Sequence, residues 1–346
     1  MDEHIAEAIG RPDLVRLDER LLCLRFETMK VVSALAAVRR LLETGAVRRG
    51  DTLLDSSSGI YAYALALACH RHGLRCHIVG STTVDRTLRT QLAVLGATLE
   101  QMEPCSDLKL DQKRRVARVR EILTEHPGYH WMRQYHDEIH YLGYEAVAAR
   151  LREETAGEPL TLVGGVGSGA STGALAHYLR AAGADVRLVG VQPFGSVTFG
   201  GEQVADPEII IAGIGSSIPF GNVRHAAYDV IHWTAFDAAL SGSVELLRRY
   251  AVFAGLSSGA AHLAARWERE LDADRTVVFV AADTGHRYAE SVFARHAEAV
   301  PFDRLAPRRI SDQDQLALPW CRMSWDRAPA PAQAMVPAPA QAVVAE

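Results

Sequence analysis

Near-continuous apolar runs alternate with helical periodicities along almost the whole chain, and this alternation restricts the fold more than any other feature. The runs TLLD, RCHIVG, TLEQM and YHWM begin near positions 52, 75, 98 and 129, and LTLVGGV, VRLVGVQ, DVIHW and TVVFVAA follow from about 160 onward. Strands that are apolar on every residue must be covered on both faces, as in a parallel sheet between two layers of helices. Segments such as VDRTLRTQLAVLGA supply the helical pattern. About eight strands in a chain of 346 residues point to two sheets, with the junction near LGYEAVAARLREETAGE, around 142 to 158. The expected fold is α/β, with two three-layer αβα domains and mostly parallel sheets.

Composition excludes several functions. The chain is 48% apolar and 23% charged with a net charge of −5, an ordinary globular balance without the basic footprint of a nucleic-acid binder. No apolar run is long enough to span a bilayer. The opening MDEHIAEAIGRPDL lacks the basic and apolar regions of a signal peptide, so a cytoplasmic location is expected. Cysteines stand at 23, 69, 76, 105 and 321, odd in number and without a CxxC pair, and are expected to be free, buried thiols. HDEIH places His136 and His140 at helical spacing but lacks the glutamate that directly follows the first histidine in HExxH, so no metal is expected.

Four polar turns interrupt the apolar pattern. In LLDSSSGIYAYALALACHRHG, residues 53 to 73, a strand runs into three serines and a glycine and then into a buried helix. Such a turn serves either as an N-cap or as an anion site. GGVGSGASTGAL, residues 164 to 175, fits the dinucleotide pattern GxGxxA, but the next strand ends in Gln192-Pro193 where that pattern wants an acid, and a phosphate cup fits better. FAGLSSGAAHLAARW (253 to 267) and VVFVAADTGHRYAESVF (277 to 293) repeat the strand-edge or helix-start theme. Of 37 basic side chains only Lys30, Lys109 and Lys113 are lysines. Arginine stays charged and forms no Schiff base, so a lysine kept among arginines can mark amine chemistry. Lys109 and Lys113 belong to a charged helix face, whereas Lys30 lies between Met29 and Val31-Val32 at a helix start.

In this order the motifs resemble fold-type-II pyridoxal-phosphate enzymes of the cysteine synthase and cystathionine β-synthase group, over residues from about 6 to 295. IGRPDLVRL is similar to that group's opening, and Lys30 falls at the family's spacing before Gly59. The resemblance implies that Lys30 is the Schiff-base lysine and general base. It implies a substrate-carboxylate loop of Ser57, Ser58, Gly59 and Tyr61, aided by Gln134 and by Gly213 of GIGSSIP. It implies a phosphate loop of Gly167, Ser168, Gly169, Ala170 and Ser171. Ser257 of GLSSGAA would stand against the pyridine nitrogen, with Ile60 and Asp283 of DTGHRY also at the cofactor. The implied domains are a larger cofactor domain (1–33 and 143–310) and a smaller mobile one (34–142), followed by a disordered Pro/Ala-rich tail over 324–346.

The implied activity is β-elimination and β-replacement on O-phospho- or O-acetyl-L-serine, adding an amine or thiol, by a homodimer that meets small amino acids and neither nucleic acid nor membrane. Cysteine synthase or cystathionine β-synthase activity proper, and a degenerate binding or regulatory subunit, stay open. GSVTFGG, RQYHDEI and DTGHRY look most like the siderophore-pathway branch that joins O-phosphoserine to glutamate. The chain departs from the family at Ile60, where an asparagine is usual, in the short FETMK ahead of the lysine, and in the abbreviated segment after Gln134.

Overall fold

The computed structural model describes residues 1–103, 108–208 and 213–329, with the backbone alone for 108–110. A short helix α1 (Ile5–Ile9) precedes the antiparallel pair β1 (Asp13–Asp18) and β2 (Leu21–Arg25). The chain then passes through α2 (Lys30–Glu43) into a separate sheet made of β3 (Thr52–Ser56), β4 (Arg75–Gly80), β5 (Thr98–Gln101) and β6 (His130–Trp131). These strands alternate with α3 (Ile60–His72), α4 (Arg86–Val94) and α5 (Leu108–Glu125). After α6 (Tyr144–Glu154) come β7 (Leu160–Gly165), α7 (Thr172–Ala181), β8 (Val186–Pro193), β9 (Val230–Thr234), α8 (Phe236–Tyr250), α9 (Leu256–Leu271) and β10 (Thr276–Ala281). β11 (Arg308–Ile310) and β12 (Trp320–Ser324) end the large sheet.

The large sheet has the order β1-β2-β10-β7-β8-β9-β12-β11, with β2, β10, β7, β8 and β9 parallel. The small sheet, β5-β4-β3-β6, is parallel throughout. The continuous apolar runs split by residue parity. Leu22, Leu24, Leu162, Val278 and Val280 join one core, while Leu21, Cys23, Val163, Val277 and Phe279 join another. Successive side chains of a strand point to opposite faces, so a sheet covered on both sides needs both parities apolar. Helix α3 is buried nearly all round, and its alanines and leucines let it lie between α2 and the small sheet. Among the described residues no helix is long and apolar enough to cross a membrane.

All eight expected strands are present, but four others escaped the pattern. β1 is half-exposed, and β11 and β12 lie near or beyond position 310, where the larger domain was expected to end. The expected disordered tail also starts too early. Ser324 closes β12, Trp325 is buried with its indole donating to Ala328 O at 2.9 Å, and the backbone N–H groups of 325 to 327 bond the carbonyls of Tyr228 and Asp229. Tertiary pairing with β9 overrides the low-complexity composition that begins only a few residues later. The expectation for 330–346 lies outside the described residues.

A buried polar cluster fastens β12. The Trp320 indole donates to His232 Nδ1 at 3.0 Å, so His232 is a neutral ring donating from Nε2 to Glu268 at 3.1 Å. Arg322 forks onto the same carboxylate and supplies its compensating charge. Burial opposes the charged form of Glu268, but the bonds from His232 and Arg322 outweigh it and hold the carboxyl at about 2, below its ordinary 4.5. A depressed carboxyl contributes stability above its unfolded pKa and loses it as pH falls. Glu268→Gln, which leaves Arg322 half-buried without its counter-charge, is expected to cost about 3–5 kcal/mol at neutral pH. In denaturation measured across pH, the gap from wild type should narrow between pH 4.5 and 2.

Candidate active site

The C-terminal ends of parallel strands, the usual location of a crevice in open α/β sheets, gather three of the four polar turns and the turn that carries Lys30, while the GLSSGAA turn joins α8 to α9. Residues 26–30 leave β2, 57–59 leave β3, 166–171 leave β7 and 282–288 leave β10. Lys30 is held by its backbone neighbours. Phe26 N donates to Ala281 O at 2.9 Å, Met29 N donates to Ala282 O at 2.8 Å, and Thr28 forms a bridge with Asp283. The side chain then crosses to the other turn, and Lys30 Nζ donates to Ser168 Oγ at 2.9 Å. Lys30 lines a cavity and so keeps some accessible surface, yet protein encloses its amine, and this desolvation lowers its pKa to about 8 from 10.5.

Lys30 stands where two cavities meet. One is a slot of about 40 Å³ with Met29, Ile60, Ile214 and Val280 as apolar walls and Ser257 and Asp283 among its polar groups. The other is a chamber of about 430 Å³ reached by Ser57, Ser58, Gly59, Tyr61 and Gln134. Gly167 and Gly213 line both and are pressed together, since a Cβ on Gly167 would stand 2.3 Å from Gly213 O. Gly169 has φ +81° and touches Asn222, so the loop has no room for side chains there. The N–H groups of residues 167 to 171 have no hydrogen-bond partner among the described residues, and they lead into helix α7. Free amides at a helix start form an anion cradle. Asp283 adds a buried Oδ1 without a partner among the described residues, while Tyr288 donates to its Oδ2 at 3.2 Å. Burial raises Asp283 to about 6, against the charge of Arg287. An anion cradle, an apolar slot with buried polar ends and an enclosed amine together fit a phosphorylated aromatic aldehyde.

The serine loop is organised from beneath by Asp55, to which sequence reasoning assigned no role. Its carboxylate accepts from Ser56 N at 2.8 Å, Gln134 N at 3.0 Å and Trp131 Nε1 at 3.1 Å. Burial raises it to about 6 despite these donors. Gln134 donates one amide hydrogen to Ser56 O at 2.8 Å, and Ser58 Oγ accepts from Ser81 N at 2.8 Å. Arg115 was also missed. It is buried, donates from Nε to Asp111 at 3.0 Å and from Nη1 to Ser56 Oγ at 2.8 Å, and lines the chamber. A signal for it existed: Asp111, Arg115, Val119 and Ile122 share one helical stripe, and its apolar members are buried. Ile60 places a branched apolar side chain where the resemblance puts a donor, and Tyr61 next to it lies near Asp55 and lines the chamber rather than the slot.

The motifs without a place in the site have structural roles. Gln192 clasps Val166 O and accepts from Ser196 at 2.9 Å, so no acid faces the glycine loop from the end of β8. His140 is buried with Nε2 2.9 Å from Met132 O, and His136 Nδ1 accepts from Gly221 N. Cys23, Cys69, Cys76 and Cys321 are free and buried, while Cys105 lies outside the described residues.

This chain belongs to the pyridoxal-phosphate dependent enzymes, whose family pattern matches residues 13–283. It is 34% identical over 266 residues to N-(2-amino-2-carboxyethyl)-L-glutamate synthase of Ralstonia nicotianae, spanning 74% of this chain and 75% of that one. The enzyme of that name from Cupriavidus metallidurans is 33% identical over 267 residues, spanning 74% and 76%. Cysteine synthase of Staphylococcus aureus is 26% identical over 261 residues, spanning 74% and 81%. The fold matches the crystal structures of O-ureido-L-serine synthase (TM-score 0.74, 22% identity, 84% of this chain and 94% of that) and of the O-acetylserine dependent cystathionine β-synthase from Helicobacter pylori (0.75, 20%, 85% and 99%).

The enclosed amine makes the first test. If Lys30 titrates at about 8, the rate at which the apo protein binds added pyridoxal phosphate, followed by its near-visible absorbance, rises with pH and levels off above about 8. An unperturbed lysine would keep the rate climbing toward about pH 10. Lys30→Ala should remove the absorbance of the protein-linked cofactor.

Proposed function

We propose that this chain is a β-replacement enzyme for O-activated L-serine, with O-phosphoserine favoured over O-acetylserine. One observation carries the reading: Lys30 Nζ meets Ser168 Oγ at 2.9 Å between a cradle suited to a phosphate and a serine loop suited to a carboxylate. Lys30, Ser257 and the loop of Gly167, Ser168, Gly169, Ala170 and Ser171 would hold pyridoxal phosphate, with Ile60 and Asp283 at its ring. That group, when bound, supplies an electron sink at the substrate's α-carbon.

The chain's own residues supply the rest. Ser57, Ser58, Gly59, Tyr61, Gln134 and Gly213 receive and orient the α-carboxylate. Lys30, with a pKa of about 8, holds or gives up the α-proton near neutral pH. Arg115 is positioned for the leaving group. Asp111 and Ser56 hold its Nε and Nη1, and the rest of the guanidinium offers charge-assisted donation to a departing phosphate dianion, while an acetyl ester brings no anion of that charge to receive it. Two contacts link the small sheet's units to those of the large sheet: Arg287 Nη2 to Asp85 Oδ2 at 2.6 Å beside the slot, and Ser217 N to Gln112 Oε1 at 2.7 Å at the chamber. They fit a small domain (34–142) that closes on a large one (1–33 and 143–310). The proposal extends to a cytoplasmic homodimer in siderophore or other specialised metabolism; that it acts on small amino acids is supported by the names of the relatives.

The test uses the holoenzyme with O-phosphoserine and O-acetylserine in parallel, reading phosphate or acetate release. The phosphate ester should have the higher kcat/KM. Arg115→Lys keeps the charge but loses the fork, and should narrow that preference by about tenfold, the value of roughly one charge-assisted bond. A preference for the acetyl ester that Arg115→Lys leaves untouched would remove the assignment.

A further inference from the structure

Pyridoxal phosphate carries a ring hydroxyl beside the carbon that bears its aldehyde, on the side away from the phosphate arm. An aldehyde at Lys30 and a phosphate on residues 167 to 171 leave that hydroxyl to the part of the slot next to Lys30 and remote from the cradle. Gly59 and Ile60, at the start of α3, line the slot on the small sheet's side. Ile60 has no side-chain donor, and Tyr61 lines the chamber instead. Of the slot's polar side chains, Lys30 is taken by the aldehyde and Ser171 belongs to the cradle. Ser257, read as the partner of the ring nitrogen, would stand across the ring from the aldehyde. Tyr288 donates to Asp283 at 3.2 Å, and Asp283 is an acid that repels an ionised oxygen.

Arg287 is the group that remains. Its Nε donates to Asp85 Oδ2 at 2.8 Å and its Nη2 stands 2.6 Å from the same oxygen. Asp85 is itself fixed, because its Oδ1 accepts from Leu88 N at 2.8 Å and caps α4. This grip leaves Nη1 without a hydrogen-bond partner among the described residues, 3.9 Å from where a Cβ on Gly59 would stand and beside the turn that carries Ile60. A planar guanidinium can give one edge to a carboxylate and keep a further N–H for a second anion, a geometry that a lysine lacks. We propose that Arg287 contacts the cofactor's ring oxygen, supplies the donor that Ile60 lacks, and holds that oxygen ionised. This rests on the reading of Lys30 and the 167–171 loop as the cofactor site. Asp85 is then a positioning residue. It belongs to the small sheet's units, so the seating of those units beside the slot orients the cation that governs the ring.

The experiment reads the absorbance of the full chain loaded with pyridoxal phosphate, without substrate, at neutral pH. An ionised ring oxygen absorbs at longer wavelength than a neutral hydroxyl, so the ratio of the two bands measures its ionisation. Arg287→Gln should lower that ratio by roughly tenfold, the smaller end of what an opposite charge at contact distance does to an acid. Arg287→Lys keeps the charge but cannot serve Asp85 and the ring oxygen together, and should fall between. Arg287→Gln combined with Ile60→Asn returns a neutral donor to the start of α3 and should recover part of the ratio. Circular dichroism checks that each variant is folded, and Arg287→Lys carries the test should Arg287→Gln not fold. A ratio unmoved in the folded Arg287 variants, with the cofactor still linked, overturns the inference and leaves β-replacement standing. A wild-type chain without any absorbance of linked cofactor overturns both.

Discussion

The site depends on an amine enclosed by protein with a hydroxyl, not a carboxylate, as its partner. A lysine paired with a buried acid would be locked in its charged form. Lys30 donates to Ser168 instead, and desolvation alone brings it to about 8. That arrangement needs the glycine loop behind β7 and the turn behind β2 to be held in fixed relation. The hydrogen bonds from Phe26 and Met29 to the end of β10 do this, because β10 is the strand between β2 and β7. The sheet order is therefore a chemical fact as well as a topological one: it sets the distance between the amine and the cradle.

Much of this was legible in the sequence. The strands that carry the site turns β3, β7 and β10 are apolar on both parities, so their ends and the glycines or serines that follow could be read directly. Lys30 stood out because so few lysines remain in the chain. What could not be read was polar and buried. Asp55 sits at a strand end where a capping role is the natural reading, and only the fold brings Trp131 and the Gln134 peptide onto its carboxylate. Arg115 lies in a helix so rich in charge that a solvated face was the simplest expectation. The C-terminal strands failed for another reason. β12 is fastened through His232, Glu268 and Trp320, partners far apart in sequence, and the Pro/Ala-rich composition beginning soon after hid it.

Two buried carboxylates show how differently the fold uses such groups. Glu268 has a charged partner and is held at about 2, serving the large sheet's edge. Asp55 has only dipolar donors and is raised to about 6, serving the serine loop. An N–H donor offsets part of the desolvation of a carboxylate, while a guanidinium can offset all of it. The loop that meets substrate thus rests on a group that titrates near neutrality, and the frame that must not move rests on one that does not.

Ile60 fits the same division. A hydrogen-bond donor at the first position of α3 would face the slot and need a partner whenever the slot is empty of one. Isoleucine needs none, and it joins Met29, Ile214 and Val280 in an apolar wall. The polar side chains of the slot are then those of Lys30, Ser171, Ser257, Asp283, Arg287 and Tyr288. Any tuning of a ring held there must come from those groups, and Lys30 is the one among them that also opens onto the chamber. Lys30 is therefore the cation that the slot and the chamber share among the described residues, and its neutral partner, Ser168, sets how that amine is held.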